Sequence, residues 1–105
     1  MNNDAPCVFC EIPVSKHLLS NEYFYVIQDK HPVARGHSLV ISKRHVSQYF
    51  DLNEAESLAL LETVKELKEL LEKRYSPSAY NLMMNCGRKA GQTVFHFHMH
   101  VIPRY

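Results

Sequence analysis

The stretch His96-Phe97-His98-Met99-His100-Val101-Ile102 decides how the rest of this 105-residue chain is read. On a β-strand, successive side chains point to opposite faces. His96, His98 and His100 therefore share one face, and Phe97, Met99 and Val101 share the other. The second face is apolar and belongs on a core. The first carries three imidazoles, the side chains whose ordinary pKa lies near neutrality and which are common metal ligands. Histidine is also abundant, seven residues against three cysteines. Two arrangements stay open here: a catalytic metal held by the three histidines, or a metal-free histidine nucleophile.

Working outward, Tyr23–Gln28 and His37–Ser42 are aromatic and β-branched runs that predict strands. Between them, His31-Pro32 and Arg35-Gly36 punctuate a loop. Tyr80–Cys86 predicts another strand, with Asn81 and Asn85 on one parity and Tyr80, Leu82, Met84 and Cys86 on the other. The last strand spans Val94–Ile102 and stops at Pro103, and His17-Leu18-Leu19 adds a short edge strand. One helix is clear, over 54–75. Leu58, Leu61, Val64, Leu67, Leu71 and Tyr75 form an apolar stripe at spacings of three and four, widened by Leu60 and Leu70. Asp51 with Glu54, or Asn53 with Glu56, offers a capping box, and Pro77 lies just past the end. Cys7–Ile12 is a turn or a single helical turn before Pro13. Strands, one helix and a closing hairpin predict an α+β domain over 1–105 with a mainly antiparallel sheet of about five strands.

Composition narrows the function classes. Lys and Arg total 12 and Asp and Glu total 11, so the net charge is +1 and no global field draws the chain to nucleic acid or a membrane. No apolar run approaches the ~18 residues of a membrane span. Met1-Asn2-Asn3-Asp4 lacks the basic and apolar regions of a signal peptide. An odd, small number of cysteines argues against a disulfide framework and for a reducing cytoplasm.

Two of the cysteines form Cys7-x-x-Cys10. A redox motif of this spacing sits between a strand and a helix of a βαβ unit, and no strand is predicted ahead of Cys7. A closed structural zinc site needs four Cys or His ligands. His45, directly after the second strand, and one histidine of the last strand would complete Cys2His2 and tie the N-terminal segment to the final strand.

The final segment matches the signature His-φ-His-φ-His-φ-φ, φ being apolar, of the histidine triad family. Asn85-x-Gly87, Ala90-Gly91-Gln92-Thr93-Val94-x-His96, Asp29 after an apolar strand, Gly36-His37-x-Leu39-Val40-Ile41 and Lys43-Arg44-His45 follow the family order. The chain resembles the family from Cys7 to Arg104. Within it the chain is most similar to the Hint branch of small bacterial members, and Ile102-Pro103-Arg104 resembles the ending of diadenosine polyphosphate hydrolases. Histidine at position 100, where the nucleotidyltransferase branch has glutamine, favours a hydrolase.

The resemblance implies a HIT-like fold and a set of roles. His98 would attack the α-phosphorus of a nucleotide and form a nucleotidyl-histidine, its other ring nitrogen held by a backbone carbonyl of its own strand. His100 would donate to the phosphate or the leaving atom, with His37 supporting the triad. Gln92, Thr93, Asn85 and the Gly91 backbone would hold phosphoryl oxygens, and Asp29 the ribose hydroxyls. Phe9, Ile12, Ile27 and Leu39 would form the apolar slot for the base. Cys7, Cys10, His45 and His96 would hold a structural zinc. A purine nucleotide with an AMP or GMP moiety is the implied substrate, and a homodimer through the long helix and a strand the implied assembly.

Overall fold

A computed structural model describes residues 7–105; the reading of Met1–Asp4 lies outside the described residues. Six regular elements follow in order: β1 (Leu19–Ser20), β2 (Phe24–Gln28), β3 (Ser38–Ser42), α1 (Glu54–Tyr75), β4 (Ala79–Met83) and β5 (His98–Arg104). Single 3₁₀ turns occur at Val14–Lys16, Tyr49–Asp51 and Arg88–Ala90. The strands form one antiparallel sheet in the order β1-β2-β3-β5-β4, so the predicted α+β architecture holds.

The two sheet faces have different cover. Phe24, Val26, Val40, Phe97, Met99 and Val101 pack with Leu60, Leu67 and Leu71 of α1 in the main core. On the opposite face, Tyr25, Ile27, Leu39 and Ile41 pack with Phe9 and Ile12 from the N-terminal segment. The register pairs Leu39 with His100 and Ile41 with His98. Paired residues share a face, so these two histidines stand on the side away from the helix, as the alternation predicts.

Several details differ from expectation, each for a tertiary reason. The buried stripe of α1 is Glu56, Leu60, Thr63, Leu67 and Leu71, whereas Leu58 and Leu61 are 59% and 54% exposed. The helix carries leucines on two sides, and polar pairing decides which side is inward. Arg44 donates to both carboxylate oxygens of Glu56 at 3.1 and 2.8 Å, while Thr63 accepts from Asn21 Nδ2 at 2.8 Å and donates to the Ala59 carbonyl. Buried polar groups are tolerated when so partnered. Asn53 and Glu56 make the capping box, while Asp51 accepts from the Gln48 N–H one turn earlier. β5 begins at His98 rather than 94, because Phe97 turns aside to donate its N–H to Val46 and to accept from Ser42. It also runs through Pro103, which lies past the last rung to β3 at Val101, so its missing N–H breaks no bond to that strand. The Cys7–Ile12 segment is a turn closed by Cys10 N–H to the Cys7 carbonyl, and the helical turn comes after Pro13. β1 is shifted to Leu19–Ser20, and β4 stops at Met83, leaving Asn85 and Cys86 in the following loop.

Candidate functional site

The ring of His98 is oriented by its own strand. Its Nδ1 lies 2.8 Å from the His96 carbonyl, an acceptor only, so Nδ1 carries the proton and Nε2 keeps the lone pair. Phe9 leans on the ring at 5.0 Å between centroids. In the neutral ring Nε2 is therefore the nucleophilic nitrogen.

His100 is set by a chain of bonds that begins in the β2–β3 loop. The Val33 N–H donates to His37 Nδ1 at 3.2 Å, which assigns the His37 proton to Nε2. That nitrogen lies 2.9 Å from His100 Nδ1, so His37 donates and His100 accepts. His100 Nε2 then carries a proton and is a donor. Two neighbouring rings thus present opposite functions, an electron pair on His98 and a proton on His100, with centroids 5.5 Å apart. Burial pushes the pKa of His37 and of His100 below the ordinary value; for His100 the neighbouring His98 and His37 add to the effect, and Asp29 opposes it in both. Asp29 Oδ2 stands 3.5 Å from His37 Nε2 and 3.7 Å from His100 Nδ1. Its Oδ1 accepts from the His31 N–H in a tight turn at 2.8 Å. Asp29, His37 and His100 gather closely enough to suggest a ligand trio. The Val33 bond argues otherwise: His37 already offers Nδ1 to a donor, so its Nε2 holds a proton rather than a lone pair for a metal.

A different group could hold a metal ion. Cys7, Cys10, His45 and His96 bring one ligand atom each within 4.8 Å of one another. Cys7 Sγ lies 3.2 Å from His96 Nδ1, and Cys10 Sγ lies 3.1 Å from His45 Nδ1 and 3.5 Å from His96 Nδ1. His96 Nε2 donates to the Ser42 carbonyl at 2.7 Å, leaving Nδ1 as the free electron pair. A ligating histidine normally has its second nitrogen held in this way. Two thiols and two imidazoles suit a tetrahedral site with no open position. The three triad histidines therefore do not converge on one ion: His96 joins the cysteines, His100 joins His37, and His98 belongs to neither group among the described residues.

An open cavity of about 700 Å³ is lined by Val8, Ile12, Leu18 and Ile27 together with polar groups that include Lys16, Asp29 and Lys30. Phe9 and Leu39 belong to the same apolar cluster as Ile12 and Ile27. The loop before β5 is placed differently from expectation. Gln92 is buried and turned inward: its Nε2 donates to the carbonyls of Ser47 at 2.6 Å and Val94 at 3.0 Å, and its Oε1 accepts from Gly87 N–H at 2.8 Å. Both amide hydrogens are spent on the loop, so the side chain is a brace. Asn85 and Thr93 are exposed. Gly91 has φ +97°, and a Cβ there would stand 3.2 Å from Asn85 Nδ2, so the position demands glycine. His17 is more enclosed than a surface residue: it stacks on Tyr25 at 4.3 Å, with both ring nitrogens shielded and unpartnered. Its neighbour Leu18 lines the cavity, yet no spacing rule in the sequence marks His17 as part of it.

Comparison with known proteins places the chain in a family. The chain is 40% identical over 104 residues to an uncharacterized 16.1 kDa HIT-like protein of Mycoplasma pneumoniae, covering 94% of this chain and 72% of that one. It is 35% identical over 106 residues to an adenosine 5′-monophosphoramidase of Saccharomyces cerevisiae, covering 96% of this chain and 64% of that one. The crystal structure of a HIT family protein from Bacillus anthracis superimposes with a TM-score of 0.86 at 36% identity, over 94% of this chain and 73% of that one. A HIT domain pattern spans residues 11–105, from the segment beside the cysteine pair through all three triad histidines, and the chain belongs to the HIT domain family.

Proposed function

We propose that the protein is a nucleotide hydrolase that attacks the α-phosphate of purine nucleotide conjugates and releases a nucleoside monophosphate. The observation that carries this is the pair of opposed tautomers, His98 with Nε2 free and His100 with Nε2 protonated. The activity in the name of the yeast relative supports it.

In the first step the His98 Nε2 electron pair forms a bond to phosphorus as the bond to the leaving atom breaks. The leaving group takes its proton from solvent while His100 Nε2–H donates a hydrogen bond to it and keeps its own proton. Water then attacks the nucleotidyl-histidine, its proton returns to solvent, and His98 is released with the monophosphate. One difficult displacement becomes two easier ones, and a preorganised donor stabilises the charge that develops on the leaving atom. Asp29, in the cavity wall, would accept from the ribose hydroxyls, and Ile12 and Ile27 would flank the base. Phosphoramidates, aminoacyl-adenylates and diadenosine polyphosphates are the candidate substrate classes.

Cys7, Cys10, His45 and His96 would hold zinc, which when bound supplies a cross-link between the N-terminal turn and the strand entering β5. That cross-link bears on the nucleophile by two routes. The carbonyl of His96 is the one that orients His98, and the Cys7–Cys10 turn carries Phe9 onto the His98 ring. A homodimer is also part of this reading. β4 is a sheet edge with Leu82 and Met83 exposed, and Leu58 and Leu61 are exposed on α1; apolar patches of this kind commonly mark protein contacts. No helix among the described residues is long and apolar enough to cross a membrane.

The decisive experiment measures AMP release from adenosine 5′-phosphoramidate by the wild type and by His98→Asn. Release by the first and loss in the second, with the variant still folded, is the expected outcome. Equal release by both would refute the nucleophile assignment.

A further inference from the structure

The bond that orders the His37–His100 pair comes from the Val33 main chain, so whatever fixes the turn at 33–36 also fixes the proton on His100. That turn is held from outside the site. Tyr105 Oη donates to the Arg35 carbonyl at 2.6 Å. The Arg35 guanidinium lies 4.9 Å from the Tyr105 ring centroid and 5.9 Å from that of Tyr75, within cation–π range of both. The next residue, Gly36, has φ +87°, and a Cβ there would stand 2.9 Å from the Tyr75 ring. Its carbonyl accepts from Ser38 Oγ at 2.8 Å, and the turn closes with His37 N–H to the Ala34 carbonyl at 3.1 Å. None of these contacts touches His98, His100 or the cavity.

We propose that Tyr105 and Arg35 are positioning residues: by clamping the 33–36 turn they aim the Val33 N–H at His37 and so hold the His37–His100 chain in the direction that leaves a proton on His100 Nε2. A chain of two neutral imidazoles has two directions. In the observed one, His37 Nε2–H donates to His100. In the reverse one, His37 holds its proton on Nδ1 and His100 donates through Nδ1, so His100 Nε2 becomes a bare acceptor. The reverse direction sets the Val33 N–H against an N–H on His37, two donors facing each other without an acceptor. The clamp is what keeps that amide in place. Asp29 does not depend on it, because its N–H is tied to the His37 carbonyl at the end of the β2–β3 pairing at 3.0 Å. The claim on tautomers stands alone; its catalytic consequence rests on the function proposed above.

Long-range ¹H–¹⁵N correlation of the imidazoles in the 105-residue chain reads which nitrogen of each ring is protonated, without any turnover. The wild type should show Nε2–H on both His37 and His100. Tyr105 is 54% exposed and Arg35 is exposed, so the double substitution Tyr105→Phe with Arg35→Ala strips the clamp without opening the core. It should show a second population with Nδ1–H on His100. The kcat for nucleotide hydrolysis should fall about two- to fivefold, as expected when two neutral tautomers become comparably populated, with KM unchanged within about twofold. Val33→Pro deletes the donor directly and should reverse the chain in the same way. Reversal by Val33→Pro but not by the double variant would overturn the clamp, and no reversal by either would overturn the whole chain of bonds. A drop in kcat with unchanged tautomers would equally refute the proposal. Because the tautomers are read independently of substrate, failure of the hydrolase reading would be seen separately, as wild-type protein with ordered imidazoles and no activity.

Discussion

Gln92→Leu separates a loop brace from a phosphate ligand. The substitution keeps the approximate volume and removes the amide. Three bonds go with it: those to the Ser47 and Val94 carbonyls and the one from Gly87 N–H. At a net contribution of about 1 kcal/mol each, the expected loss is about 3 kcal/mol. For a domain of this size 1 kcal/mol moves Tm by roughly 4–5 °C, so the melt should drop by about 12–15 °C. Urea unfolding followed by circular dichroism gives the free energy directly, and an unchanged m-value would show that the denatured state has not altered. The loop Gly87–Gly91 should also loosen, because Gln92 ties its first residue to the segment after β3 through Ser47. A variant as stable as the wild type but with greatly reduced turnover would refute this reasoning, since it would mean that the amide serves the substrate.

Other outcomes follow from the same geometry. His37 and His100 both titrate below the ordinary histidine value because of burial, so kcat/KM should stay level through neutral pH and fall only on the acid side of about 6.5. The same shift affects stability: their contribution is full above about 6.5 and declines as pH falls toward the folded-state values, because the unfolded chain takes up protons first. Urea midpoints across that window would check the sign. The purified chain should carry about one zinc per molecule, and Cys10→Ala should lower both metal content and melting temperature, measured by atomic absorption and calorimetry; equal metal in the variant would reject the ligand set. Leu67→Ala, at a fully buried position of α1, should cost about 2–5 kcal/mol. Leu58→Ala on the exposed side should cost less than about 0.5 kcal/mol at concentrations where the chain is monomeric.

The readable parts of this protein are those governed by local backbone geometry. Strand alternation separates His98 and His100 from Phe97, Met99 and Val101 before any contact is known, and the register confirms it. The two candidate boxes, Asp51–Glu54 and Asn53–Glu56, are legible for the same reason, each being complete within one helical turn, and the structure selects the second. Of the four possible metal ligands, the cysteine pair and the histidine after β3 are offered by the sequence, while the choice of His96 among the last-strand histidines rests on the family resemblance; the structure gathers the four. The face of α1 is partly readable from apolar residues: Leu60, Val64, Leu67, Leu70, Leu71 and Tyr75 pack on the core, whereas Leu58 and Leu61 do not. The helix is buried along Glu56 and Thr63, and their burial depends on Arg44 and Asn21, which belong to other parts of the chain.

Polar side chains with several possible partners are the hardest to place. Gln92 next to Thr93 in a glycine-bounded loop is as compatible with a ligand as with a brace, and only the position of the Ser47 carbonyl, 45 residues earlier, decides between them. The triad histidines show the same division. The shared face of His98 and His100 is a property of the strand, set by the sequence alone, whereas His96 precedes the strand. Their separate employment is tertiary: His96 is drawn to Cys7, 89 residues away, and His100 to His37, 63 residues away, while His98 turns to its own backbone. Alternation is fixed by the dihedral angles of neighbouring residues, so a sequence determines it locally. The direction of a hydrogen bond depends on which donors and acceptors the completed sheet brings together, so only the folded chain decides where each proton resides.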